Sequence, residues 1–161
     1  MSDYVFKPPY SGGCACGAIR YELLDAPKTV YLCHCTECRR MTTSAFGISI
    51  PVDRQYLHFF QGELRTIERK ADSGRSVVGR FCGDCGTRII HEPPHAADMV
   101  ILRGGTLDDP SWVFPAGNVW TKSALPWAQI DQSLLNYEAQ SPGLDDLSAR
   151  WHEMLEARLS A

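Results

Sequence analysis

The sequence predicts a mainly β domain with zinc sites and a C-terminal α-helix, and three observations lead there. Seven short segments rich in branched and aromatic residues follow one another through the first two thirds of the chain. A helical repeat is confined to the C-terminal end. All seven cysteines fall in tight clusters, C-A-C, C-H-C-T-E-C and C-G-D-C, a pattern better suited to holding metal than to scattered packing.

The predicted strands cover residues 18–24, 44–50, 56–60, 64–69, 76–81, 87–91 and 99–104. Val, Ile, Tyr and Phe favour the pleated, half-buried surface of a sheet, and Gly, Asp or Pro separates many of these runs. So many short strands imply mainly antiparallel pairing. Gln61-Gly62 and Asp72-Ser73-Gly74 have the composition of hairpin turns, and Pro93-Pro94 and Asp108-Asp109-Pro110 that of loops. The tail behaves differently: Leu144, Leu147, Trp151, Met154, Leu155 and Arg158 recur at helical spacing after Pro142-Gly143, with Asp145 and Asp146 in the first turn. A helix over residues 144–159 that docks on the domain's own core is expected.

With 161 residues the chain has the length of one domain. No apolar run approaches the ~18 residues that cross a bilayer, so a membrane-spanning helix is excluded. A formal net charge of −3 has the wrong sign for a protein whose partner is a phosphate backbone, and nucleic acid is not expected as a partner. The start, MSDYVFKPPYSGG, lacks a basic stretch followed by an apolar one, which makes the cytoplasm the expected compartment.

In a reducing compartment clustered thiols are better metal ligands than disulfide partners, and an odd number cannot all pair. Seven donors divide naturally into four and three, because a structural zinc is closed by four protein ligands while a catalytic zinc keeps three and leaves a position open. Cys82-Gly83-Asp84-Cys85-Gly86 has the spacing of a knuckle that turns two thiolates toward one ion. Cys14-Ala15-Cys16-Gly17 can supply the matching pair. Cys33, Cys35 and Cys38 then form a three-donor run within six consecutive residues. A histidine completing that run is the alternative. His34 lies between two of the ligands, where an extended backbone turns its side chain away, and His58, His91 and His95 can approach only through the fold.

These motifs resemble the glutathione-dependent formaldehyde-activating enzyme family, also called the GFA or centromere-protein-V domain family. The resemblance spans residues 11–139 and rests on five blocks in order: G-G-C-A-C-G-A-I-R-Y-E, C-H-C-T-E-C-R-R, F-C-G-D-C-G-T, G-T-L-D-D-P and V-W-T-K-S-A-L-P-W. Residues 1–10 are then a lead-in and residues 140–161 a helical extension of the same domain. The resemblance implies an Mss4-like antiparallel β fold, a structural zinc at Cys14, Cys16, Cys82 and Cys85, and a second zinc at Cys33, Cys35 and Cys38. It also implies an activity like that of S-(hydroxymethyl)glutathione synthase, with a small thiol such as glutathione and an aldehyde as partners. Two positions depart from the family's usual pattern: Asn118 stands where histidine is common, and Ser123-Ala124-Leu125-Pro126-Trp127 replaces S-K-x-P-W.

Three thiolates give a zinc site a net negative charge, which makes it a poorer source of hydroxide than one built from neutral histidines. A thiol, with a free pKa of about 8.5, is easier to ionise there. Carbon–sulfur lyase chemistry on a thiol–aldehyde adduct follows, with Cys33, Cys35 and Cys38 as the catalytic, labile zinc site. Arg39 and Arg40 can bind a carboxylate of such a substrate or remain solvated. For the proton of the adduct's hydroxyl, His34 and His91 are the candidate bases. Trp120, Lys122 and Trp127 are candidates for a pocket wall, against the ordinary role of such aromatics in a core. A non-catalytic interaction module or glutathione carrier and a dithiol redox switch are the competing classes.

Overall fold

The computed structural model describes residues 6–71 and 74–161. In chain order the elements are β1 (Tyr10–Gly13), β2 (Arg20–Leu23), β3 (Tyr31–Cys33), α1 (Thr36–Thr42), β4 (Gly47–Asp53), β5 (Leu57–Gln61) and β6 (Leu64–Lys70). They continue with β7 (Ser76–Cys82), β8 (Arg88–Glu92), β9 (Met99–Arg103), β10 (Gly117–Val119), β11 (Leu135–Asn136) and α2 (Asp145–Leu159). Each of the seven expected strands is present, as is the C-terminal helix, and the fold is mainly β. The short strands β1, β3, β10 and β11 and the helix α1 are additions. Contacts divide the chain into two compact groups, one of Lys7–Pro27 and Pro51–Ser111, the other of Phe6 with Lys28–Ile50 and Trp112–Ala161.

In the first group β1, β2 and β5 form an antiparallel sheet, with Tyr10 opposite Leu23 and Tyr21 opposite Phe59. Alternation does the sorting: Tyr21 and Leu23 are fully buried while Arg20 and Glu22 between and before them turn outward. Strands β6, β7, β8 and β9 pair antiparallel in sequence order, so that Ile90 faces both Arg80 and Leu102. The Gln61-Gly62 turn is not a hairpin. It carries the chain from β5, paired with β2, to β6, paired with β7. Gly62 has a φ of +78°, and a Cβ there would lie 2.3 Å from the Ala18 carbonyl oxygen. The turn thus packs against the loop that carries Cys14 and Cys16, which Gln61 also holds by donating from Nε2 to the Gly17 carbonyl at 2.9 Å. The expected hairpin near residue 73 joins β6 to β7, with Lys70 opposite Ser76. Asp72 and Ser73 themselves lie outside the described residues.

The second group contains the parallel pairs. β10 runs parallel to both β3 and β11, and β3 pairs antiparallel with the start of β4, placing Cys33 opposite Val119 and Gly47. Parallel neighbours need long connections, and the sequence from Cys33 to Gly117 supplies one. Helix α2 buries Leu147, Trp151 and Leu155. Trp151 stacks on Phe114 at 5.3 Å between centroids and meets Phe6 edge-on at 5.6 Å. Two hydrogen bonds fix its start: Thr29 Oγ1 donates to the Leu147 carbonyl and Ser148 Oγ to that of Lys28. The helix therefore packs within its own group, the outcome expected for a docked terminal helix. Among the described residues no helix is long and apolar enough to cross a membrane.

Candidate metal centres

The loop after β1 and the loop after β7 are built alike. In each, a glycine just beyond the second cysteine donates its N–H to the carbonyl of the first: Gly17 to Cys14 at 3.1 Å and Gly86 to Cys82 at 2.9 Å. Both glycines lie in the left-handed region, at φ +80° and +78°, where a Cβ is disfavoured. Each turn aims two sulfurs the same way. The sulfurs of Cys14, Cys16, Cys82 and Cys85 all lie within 4.8 Å of one another. Cys14 to Cys16 is 3.5 Å and Cys16 to Cys82 is 3.8 Å. Four sulfurs bonded to one tetrahedral zinc at about 2.3 Å are about 3.8 Å apart, so the spacing fits that ion.

Electrostatics within this cluster points the same way. The Thr87 hydroxyl and backbone N–H lower the Cys85 thiol to about 5. Cys16 is lowered by the Ala18 N–H but raised more by the sulfurs of Cys14 and Cys85, and ends at about 12. Four sulfurs this close cannot all ionise without a cation to share them. Burial tends to raise Cys14, but the Ile19 N–H, which donates to its sulfur at 3.1 Å, helps bring it below its ordinary value.

Three further sulfurs meet where β3 passes into α1. Cys33 ends the strand and is buried. Cys35 caps the helix in an extended conformation, its sulfur accepting from the Cys38 N–H at 3.3 Å, and Cys38 follows in the first turn. Strand end, cap and first turn bring all three sulfurs within 4.8 Å of one another. The neighbouring sulfurs of Cys35 and Cys38, reinforced by burial, push the Cys33 thiol up. This cluster too can hold a metal ion as thiolates. Among the described residues no histidine, aspartate or glutamate joins either group.

His34 is turned elsewhere. Its Nε2 lies 2.9 Å from Asn118 Oδ1, while Asn118 Nδ2 donates to Asn136 Oδ1 at 2.9 Å. Asn136 Nδ2 is in turn committed to the carbonyls of Asp131 and Leu134. This chain of directed bonds makes Asn118 Oδ1 an acceptor, so Nε2 of the buried His34 carries a proton. The other ring nitrogen, Nδ1, is buried with no hydrogen-bond partner among the described residues. Asn118 is thereby explained: it orients His34. His91 lies on β8. His58 packs near Phe60, and His95 is exposed.

A groove of about 770 Å³ is lined in part by Thr36 and Arg39, the sequence neighbours of Cys35 and Cys38. Its lining is Thr36, Arg39, Arg40 and Thr43, all from α1 or its end, with Ser44, Ala45, Phe46, Leu125 and Trp127. The first four are spaced i, i+3, i+4 and i+7 and form one helix face. Arg39 and Arg40 therefore sit together on a concave surface. Trp127 is 71% exposed on it, not in the core. Trp120 and Lys122 do not line the groove; the Lys122 ammonium lies 5.0 Å from the Trp120 ring centre. Sequence reasoning missed Thr36, Thr43, Ser44, Ala45 and Phe46. The spacing of the α1 residues was available, but T-E-C-R-R-M-T has no apolar period to announce a helix.

Residues 9–123 match the profile of the family described as glutathione-dependent formaldehyde-activating enzyme. The chain belongs to this family. The part matched to the formaldehyde-activating enzymes includes all seven cysteines, Arg39, Arg40 and Asn118, and stops short of Leu125, Trp127 and α2. Among solved structures, one of a Rhodobacter sphaeroides protein, a Northeast Structural Genomics target, is similar. It shares 19% identity over 79% of this chain and 98% of its own, with a TM-score of 0.48. No curated protein matches.

Proposed function

We propose that this member of the formaldehyde-activating family is a zinc-dependent carbon–sulfur lyase acting on a thiol–aldehyde adduct, in the manner of an S-(hydroxymethyl)glutathione synthase. One observation carries the reading: the seven sulfurs form a group of four and a separate group of three. Four thiolates close a tetrahedral site and suit a structural role. Cys33, Cys35 and Cys38 would hold a second zinc with three protein ligands, and that ion would supply the positive charge that favours the ionised form of a substrate thiol.

The chain's own residues do the rest. Arg39 and Arg40 offer planar guanidinium donors to a carboxylate of the thiol substrate, glutathione being the natural case. The groove they share holds the adduct in one orientation, which converts an encounter into an intramolecular geometry. In cleavage the C–S bond breaks with its electron pair passing to sulfur, the C–O bond becomes a carbonyl, and the hydroxyl proton leaves to water. Formation is the reverse, and no oxidant enters. The family membership and the reducing conditions that clustered thiols require make the cytoplasm the fitting compartment.

The test is Cys35→Ser, assayed for zinc content, adduct turnover and thermal unfolding. We expect one zinc in place of two, turnover reduced at least a hundredfold, and a preserved unfolding transition, because the four-cysteine cluster is untouched. Undiminished turnover in the folded variant with one zinc overturns the mechanism. The reading as an interaction module or thiol carrier predicts binding without turnover. Cobalt substituted at the three-cysteine site and titrated with glutathione reports the binding, while the turnover assay separates the two.

A further inference from the structure

The groove lined by α1, whose Thr36 and Arg39 follow Cys35 and Cys38 in sequence, has two chemistries. On its α1 face, Arg39 and Arg40 carry no ion pair among the described residues, and the Nε of Arg39 is buried with no hydrogen-bond partner. Arg39 lies on the groove face of α1 and directly follows Cys38 in the chain. Two guanidiniums on one wall of a groove, in a chain of net charge −3, suit an anionic ligand. The remaining wall includes Ala45, Phe46, Leu125 and Trp127. A volume of about 770 Å³ falls in the range of small-molecule sites.

Formaldehyde brings only one carbon to its adduct, too little to cover Phe46, Leu125 and a tryptophan 71% exposed. The apolar wall calls for an apolar substituent, since covering such surface is what favours binding there. Leu125 and Trp127 also lie beyond the residues matched to the family, whereas the cysteines and both arginines lie within them. Phe46 lies within them too, so the apolar wall draws on both stretches of the chain.

We propose that the substrate is the adduct of a carboxylate-bearing thiol with an aldehyde carrying an aromatic or branched apolar substituent, seated against Phe46, Leu125 and Trp127. This rests on the lyase reading above. Arg39 and Arg40 hold the carboxylate, and the substituent covers Trp127. The reaction is unchanged: the adduct and the separated thiol and aldehyde are the same atoms at the same oxidation level.

The experiment compares glutathione adducts of formaldehyde and of phenylacetaldehyde with the zinc-loaded protein, following both by NMR exchange above the spontaneous rate. We expect kcat/KM at least tenfold higher for the phenylacetaldehyde adduct. Trp127→Ala should reduce that ratio at least fivefold, while Arg40→Gln should weaken both reactions by a similar factor and leave the ratio in place. Turnover of the formaldehyde adduct at an equal or higher kcat/KM overturns this inference and leaves the lyase reading standing. Turnover of neither adduct by protein carrying two zinc ions overturns both. A binding measurement stands apart from catalysis: by calorimetry S-benzylglutathione should bind at least tenfold more tightly than S-methylglutathione, a preference lost in Trp127→Ala. Equal affinity of the two thioethers for the unaltered protein also overturns the proposal.

Discussion

Asn118 shows how much one side chain can decide. It accepts from His34 and donates to Asn136, so its removal strands a buried imidazole N–H and an amide oxygen. Leaving a buried donor unsatisfied costs about 1–3 kcal/mol. We therefore expect Asn118→Ala to lose stability in that range, read from the shift of the urea midpoint at unchanged slope, while Asn136→Ala, at an exposed position, loses less. Gly86 makes a different single-residue demand. A Cβ there meets nothing within 4 Å, so a substitution is opposed by backbone conformation alone, with φ at +78°. Gly86→Ala should cost about 1–2 kcal/mol and speed the loss of metal from the four-cysteine cluster to a chelator. Unchanged release kinetics would show that this turn does not set the sulfur geometry.

At the scale of elements, α1 joins the two halves of the proposed site. One face carries cysteines and the adjoining face carries arginines, all within seven residues and a cap. Strand β8 contributes stability through Glu92, whose carboxylate accepts from Arg80 at 2.5 Å and from Arg54 at 3.3 Å. Burial works to raise the Glu92 carboxyl, but the hydrogen bonds and charges of Arg80 and Arg54 outweigh it and hold it below its ordinary value. With the folded value below the unfolded one, this contribution is complete above about pH 4.5 and is lost as the pH falls through the folded value. The arginines are well exposed, so the effect is at most about 1 kcal/mol. Glu92→Gln should flatten the stability profile between about pH 5 and 3 by that amount; an unaltered profile would assign the acid sensitivity to other carboxylates. Helix α2 is held by packing. Trp151→Ala, at a fully buried position between Phe6 and Phe114, should cost about 3–5 kcal/mol in thermal or urea unfolding.

For the whole molecule the separation of seven sulfurs into two clusters predicts two zinc ions of unequal lability. A three-ligand site exposes a position to a competing chelator, and a closed four-ligand site does not. A mild chelator should remove one equivalent quickly and the second only with unfolding, measured by metal release alongside circular dichroism; simultaneous release of both would contradict the division. Cys82→Ser should destabilise the fold far more than Cys35→Ser, because closing a structural site is itself folding free energy. Much of this was legible in the linear chain. Ligand spacing is local, so the knuckle at Cys82 and the run from Cys33 to Cys38 were readable directly, and strands and the terminal helix announced themselves by the periodicity of buried positions. Partners distant in sequence were less accessible. Gln61-Gly62 has the composition of a hairpin, yet it connects strands paired with different neighbours, because turn chemistry permits a reversal without choosing what lies beside it. The short parallel strands β3, β10 and β11 are too brief to carry a period, and α1 has none. The sequence by itself determined the two cysteine clusters that could hold metal, the family and the mainly β character, since each depends on residue type at short range. Only the tertiary structure decided that Asn118 orients His34, and that Leu125 and Trp127 share a groove with two arginines more than eighty residues earlier in the chain. Such neighbours are chosen by the packing of whole elements, which no local pattern encodes.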